Sequence, residues 1–161
     1  MITSDFSAYA VRAIVHLPAP VMPEQVRVRL VDLMNSIASE CERAGATLIG
    51  HIKCVLDAGE NGFLAVSVTD ASGNATLRGE IKNGIGELNI VFNVLLYGLT
   101  RSRVQEIVDP LVKMRMSFEG ARIKLEDLEK EHQHEHGPVP IRMDGLDGSG
   151  GRDHGRQDDH C

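Results

Sequence analysis

Three histidines occupy every second position of the segment 131–136, and two glutamates accompany them. Imidazole nitrogens and carboxylate oxygens are ligands for nickel, zinc, cobalt and copper. A short histidine-rich tract is a compositional signal for metal binding, because several imidazoles of one chain can contact the same ion. The tract lacks the four ligands at fixed spacing that a structural zinc site needs. We therefore expect labile binding of a divalent transition metal, nickel or zinc, which suits storage, sensing or delivery better than catalysis.

A second group of potential ligands lies in residues 154–161, where histidine, aspartate and cysteine stand close together. A thiolate would add a soft ligand to the imidazoles. The residues predicted to ligate metal are His132, His134, His136, His154, His160 and Cys161. The competing interpretation is a solubilising tail that binds metal only incidentally, and the sequence leaves both interpretations open.

Another candidate site begins at the pentapeptide Gly50-His51-Ile52-Lys53-Cys54. His51 and Lys53 share one face of a predicted strand, because strand side chains alternate. A histidine there could act as a general base and a lysine could hold an anion, with Glu80 completing a polar cluster. The catalytic candidates are thus His51, Lys53 and Glu80, and the ligand-binding candidates are Asn89, Asn93 and Tyr97. Equally, the histidine could be bonded to a neighbouring strand and the lysine solvated.

The sequence contains none of the common nucleotide-binding or hydrolase motifs. There is no P-loop, no GxGxxG after a predicted strand, no GxSxG, HExxH or CxxC, and no EF-hand loop. No nucleotide cofactor is therefore indicated. This pattern favours a protein that is not an enzyme, while leaving that question open.

The elements that must position these residues are predicted by hydrophobic periodicity. A helix over residues 23–44 begins with Pro23, which suits a first helical turn. A second helix begins at the capping-box spacing Ser102-x-x-Gln105, with a kink or restart expected at Pro110. Residues 122–125 form either a short strand or more helix. Strand patterns cover residues 11–17, 47–57, 63–69, 75–81 and 88–97.

The resulting order is β-α-β-β-β-β-α over residues 1–130, followed by a tail over 131–161. It predicts an α+β domain with one mainly antiparallel sheet and both helices on one face. Many unrelated small domains share this order, so the fold alone does not supply a function. The tail lacks an apolar pattern and is expected to be disordered.

The sheet face without helices is expected to mix charged and aliphatic side chains. A solvated face would not need Ile49, Val91 and Leu95, whereas a core would not tolerate an unpaired Lys53. Mixed surfaces of this kind are typical of interfaces and ligand platforms. The sequence therefore predicts a homo-oligomer through this face, or a binding site for a protein or small molecule. The alternative is a half-solvated face whose aliphatic residues reflect strand propensity.

Charge and composition narrow the classes of partner. The net charge is −6, and the segment 131–161 holds seven of the 23 acidic and three of the 17 basic residues. The remaining chain is nearly neutral and has no basic stripe, which argues against nucleic acid as a partner. No apolar run is long enough to span a membrane. Three cysteines without tight spacing do not form a disulfide framework, so we expect a cytoplasmic protein.

Three hypotheses follow. The first is a non-enzymatic accessory protein that handles metal, with a self-associating body and a metal-binding tail. The second is a small enzyme or ligand-binding domain that uses the open sheet face. The third is a structural subunit of a larger assembly.

Overall fold

The computed structural model describes residues 5–129 of the chain. In this part, six strands and two α-helices follow one another in the order β-α-β-β-β-β-α-β, with a short 3₁₀ turn before the third strand. Their bounds are β1 Phe6–Val21, α1 Pro23–Arg43, β2 Leu48–Asp57, β3 Gly62–Val68, β4 Thr76–Ile81, β5 Ile85–Tyr97, α2 Arg101–Arg115 and β6 Arg122–Asp127. The predicted order is confirmed, and residues 122–127 take the strand form that the sequence left as one of two options.

The six strands form one sheet in the order β4-β3-β2-β5-β1-β6, and all neighbouring strands are antiparallel. β5 lies between β1 and β2, so the β1-α1-β2 connection passes over it. In the same way β1 lies between β5 and β6. The chain thus contains two split β-α-β units, β1-α1-β2 and β5-α2-β6, in which a third strand separates the two parallel strands. The β3–β4 hairpin widens the sheet beyond β2. The predicted α+β class with an antiparallel sheet is confirmed.

The two helices begin and end where their sequences allow. α1 has Pro23 in its first turn and buries an aliphatic stripe, as predicted. α2 begins two residues before the predicted capping box, because the Thr100 side chain accepts a hydrogen bond of 3.2 Å from the amide of Arg103. Pro110 is exposed within one continuous helix, so the expected restart at this residue is wrong.

Both helices cover the same face of the sheet, and the core lies between them. On β2 and β5 the alternate residues are fully buried against the helices, and so are the stripe residues of α1. Burial raises the pKa of the Cys54 thiol to about 12 and that of the Cys41 thiol to about 11. Both thiols therefore behave as small apolar groups of the core.

A β-bulge at Gly50 changes the facing of the first residues of β2. The regular pairing of β2 with β5 is interrupted between Ile49 and His51. Strict alternation would put Leu48 on the core face and Ile49 on the open face, but the extra residue reverses both. Ile49 is buried, whereas Leu48 is 59% exposed. A Cβ atom at Gly50 would lie only 3.2 Å from the carbonyl oxygen of Leu95, which favours glycine at this bulge.

β1 is longer than the predicted 11–17 in both directions. Its regular ladder with β5 runs from Phe6 to His16, and pairing resumes only at Val21. Pro18 and Pro20 therefore fall in the interrupted part of the ladder, where a missing amide donor costs little.

Candidate interaction face of the sheet

The sheet face opposite the helices carries alternate residues of all six strands. Strand pairing places Val55 of β2 directly beside Val91 of β5. These two strands are the middle pair of the six, so the two valines lie at the centre of the open face. Both are only partly exposed. Ala65 of β3 extends the row beside Val55, which makes this part of the face small and apolar, whereas Arg12 of β1 lies beside Val91 and brings a charge to the other side.

One end of the face is apolar and aromatic. Phe6 and Tyr97 pair across β1 and β5, and their rings lie 5.3 Å apart at an angle of 55°. Leu48 pairs with Tyr97 from the other side. Phe6 is 49% exposed and Tyr97 36% exposed, which is unusual for large apolar side chains in a compact domain. Tyr97, a predicted ligand-binding residue, thus belongs to an exposed aromatic and aliphatic cluster on the open face.

The polar residues of the open face separate along the strands. Lys53 lies directly opposite Asn93, and His51 lies opposite Leu95, toward the aromatic end. Asp57 and Asn89 pair with each other on the far side of the central valines. β2 therefore places a basic residue, Lys53, on one side of the central row and an acidic residue, Asp57, on the other, with an amide beside each charge.

The register leaves Glu80 away from His51 and Lys53. Glu80 pairs with Phe63, which in turn pairs with Asp57. It therefore lies two strands and four residues from Lys53, which is roughly 16 Å at normal sheet spacings. His51, Lys53 and Asn93 come together on this face, but the catalytic cluster expected from the sequence lacks its carboxylate.

A charged row near the β6 edge contains an unusual arginine atom. Arg12 lies beside Glu126, with 3.6 Å between Nη1 and the carboxylate, and Lys124 contacts the same carboxylate at 3.0 Å. The Nε of Arg12 is buried and has no hydrogen-bond partner within residues 5–129. A buried donor without an acceptor costs free energy. This row thus has an unused donor that a further molecule could satisfy.

A polar network on the helix side of the sheet was not predicted from the sequence. The buried Tyr9 hydroxyl donates a hydrogen bond to Asp109 of α2. Burial and this hydrogen bond raise the pKa of Tyr9 well above its usual range. Arg101 stacks 5.2 Å from the Tyr9 ring and donates two hydrogen bonds of 2.7 Å to Asp127. It also bonds Glu129, so it holds the end of β6 against α2.

The metal ligands predicted from the sequence lie outside the described residues. These are His132, His134, His136, His154, His160 and Cys161. Within residues 5–129, no group of three or more histidine, cysteine, aspartate or glutamate side chains is placed to hold a metal ion. In the same range, no helix combines the length and apolar composition needed to cross a membrane.

The chain matches no protein-family model, no curated protein and no solved structure. The function must therefore be argued from the residues themselves.

Proposed function

We propose that this protein is a non-enzymatic accessory protein that binds a divalent transition metal, nickel or zinc, through its histidine-rich C-terminal segment. The folded body anchors that segment. It also associates with a second copy or another protein through its open sheet face. The metal is held loosely enough to be passed on. We also propose that the protein acts in the cytoplasm, in keeping with its three widely spaced cysteines.

The observation that carries the metal proposal is the distribution of ligands along the chain. Five of the seven histidines fall in residues 131–161, and three of them alternate over residues 132–136. The same segment holds seven acidic residues and Cys161. A segment with this composition has too few apolar residues to form a core of its own. Its imidazoles, carboxylates and thiol are the groups that bind nickel and zinc most readily.

The contacts between α2 and the end of β6 support the role of the body as an anchor for the histidine-rich segment. Arg101 bonds both Asp127 and Glu129, and its guanidinium is stacked on the buried ring of Tyr9. The Asp127 side chain is only 12% exposed. Both Asp127 oxygens accept from the single Nη2 of Arg101, and a charge-assisted contact to a carboxylate this buried is stronger than an exposed ion pair. Asp127 and Glu129, which precede the histidine-rich segment, are thus bonded to α2 at the β6 edge.

The test is metal content after dialysis of the full-length chain against zinc or nickel, followed by removal of free metal and elemental analysis. We expect the unchanged chain to retain metal and the variant with His132, His134 and His136 replaced by alanine to lose most of it. Further replacement of His154 and His160 should remove the remainder. These replacements should lower the metal content without changing the fold of the body. The circular dichroism spectrum should therefore stay the same.

The matched control is a double replacement of His16 and His51, the two histidines of the body. This variant should bind as much metal as the unchanged chain. Equal metal content in the control and in the variant without C-terminal histidines would refute the metal-binding role of the segment.

A further inference from the structure

We propose that the open face is the contact surface of a symmetric dimer in which two copies pack face to face with their strands antiparallel. The two-fold axis crosses the strands through the row that contains Val55 and Val91. This inference rests on the self-association in the proposed function and is independent of its metal-binding part.

The edges of the sheet are poor places for a second copy to pair. At the β4 edge, Gly79 has a φ of +86°, and a Cβ atom there would lie 2.3 Å from the carbonyl oxygen of Phe63. A non-regular backbone of this kind interrupts an edge ladder. The β6 edge carries Arg122, Lys124 and Glu126, and charged residues on an edge strand oppose strand addition. The unused apolar surface is therefore the face.

Lys53 and Asp57 complement a second copy in the antiparallel arrangement. A two-fold axis along the central row places each strand opposite the same strand of the second copy, running in the other direction. A residue two positions before the row therefore faces the residue two positions after the row in the second copy. Lys53 of one copy then faces Asp57 of the other, and the same contact forms twice. Within one chain these two residues are about 13 Å apart along β2, so they cannot neutralise each other directly. Buried charges at an interface need such partners.

Side-chain size matches in the same arrangement. The axis places Ala10 of β1 opposite Ile14 of the second copy, and Ser67 of β3 opposite its Phe63. Phe63 is 50% exposed and Ile14 partly exposed. Each of these two large side chains thus meets a small one, while Val55 and Val91 meet their own copies at the centre. Interfaces combine an apolar centre with a polar rim in this way.

The area of the face is large enough for a stable dimer. The four middle strands span roughly 19 Å, and β5 runs for about 34 Å from Glu87 to Tyr97. The planar area is therefore roughly 650 Å², and the relief of the side chains increases the accessible surface. A standard specific interface buries about 800 Å² on each partner. The same axis places Arg12 and its ladder partner Glu126 opposite their own copies, so each guanidinium lies diagonally across from the Glu126 carboxylate of the second copy.

Sedimentation of the full-length chain over a range of concentrations tests the inference, together with charge reversals. We expect a dimer, with a dissociation constant raised about tenfold or more by Lys53→Glu, because two like-charge contacts replace two ion pairs. The double variant Lys53→Glu/Asp57→Lys exchanges the charges and should restore association. Lys113→Glu on the exposed side of α2 is the matched control and should leave the dimer unchanged.

A crosslink gives a second readout, because Asp57 accepts a hydrogen bond of 2.8 Å from Gly59 and its replacement could unfold the turn. Facing sheets pack about 10 Å apart, so Val91→Cys in a Cys161→Ser background should be linked to its copy by a bismaleimide of similar length. Met114→Cys, on the helix side and 59% exposed, should not be linked.

The outcomes separate this inference from the proposed function. A monomer at all concentrations would overturn both the dimer and the proposed self-association with a second copy. A dimer that ignores Lys53→Glu and fails to crosslink at Val91 would overturn the face alone. A dimer weakened by Glu80→Lys and restored by Lys124→Glu would overturn the antiparallel arrangement, because parallel strands would place Glu80 opposite Lys124 of the second copy.

Discussion

The two faces of the sheet are made by the same strands. Of two neighbouring residues in one strand, one is buried under the helices and the other lies on the open face. On β5, Phe92 is fully buried beneath the helices, whereas Val91 and Asn93 lie on the open face. On β2, Cys54 is fully buried between Lys53 and Val55. The helix side is closed and mostly apolar, apart from the network of Tyr9, Asp109 and Arg101. The open side has valines at its centre, separated charges and, at Arg12, an Nε donor without a partner within residues 5–129.

This difference shows that burial within the chain explains only one of the two patterns. The helix-side residues are accounted for by the core that they form with α1 and α2. The open-side residues gain nothing from this core, so their mixture must be explained by strand propensity or by contact with another molecule. Variants of adjacent residues can separate stability from association.

The largest expected effect comes from the pair Phe92→Ala and Val91→Ala, measured by urea unfolding at concentrations where the chain is monomeric. Phe92→Ala removes a fully buried ring and should lower the free energy of unfolding by about 3–5 kcal/mol. Val91→Ala should cost about 1 kcal/mol or less, because its side chain lies on the uncovered face. Similar losses for both variants would mean that the open face is as closely packed as the core.

A smaller effect should come from the polar network that joins α2 to β6. Arg101→Ala removes the two Nη2 hydrogen bonds to Asp127, the bond to Glu129 and the stacking on Tyr9, and should cost about 1–3 kcal/mol. The matched control is Arg103→Ala, two residues along the same helix, where an exposed ion pair with Glu106 at 3.2 Å is lost. Such a pair contributes about 0.5 kcal/mol or less. Equal urea midpoints for the two variants would show that Arg101 does not hold the end of β6.

Periodicity predicted the elements well because most of them obey it without interruption. α1 and β5 each present one apolar face to the same core, and their buried residues are the ones that the pattern selects. The split of β5 into a core face and an open face, with Asn89, Asn93 and Tyr97 on the latter, follows from alternation alone.

The sequence could not predict features that depend on contacts between distant residues. The bulge at Gly50 is defined by the register against β5, so the facing of Leu48 and Ile49 was wrong. The separation of Glu80 from Lys53 depends on strand order, which several topologies would satisfy. The bond from Tyr9 to Asp109 joins residues one hundred positions apart, and nothing local to either residue indicates it.

The smallest expected effect concerns the ionisation of Cys54 on the helix side of the sheet. Its effect on stability is smallest at neutral pH and grows at alkaline pH. The pKa of its thiol is raised by burial to about 12, from 9.0 in an unfolded chain. The folded state thus favours the neutral thiol, and this contribution is complete below pH 9 and is lost as the pH rises from about 9 towards 12. Cys54→Ala removes that dependence while leaving all other titrating groups in place. The urea midpoint of the unchanged chain should therefore fall more steeply between pH 8 and pH 10.5 than that of Cys54→Ala. A constant difference between the two midpoints over this interval would contradict the closed environment of the helix-side face. As the control, Asn93→Ala on the open face should leave the pH dependence of the urea midpoint the same as in the unchanged chain.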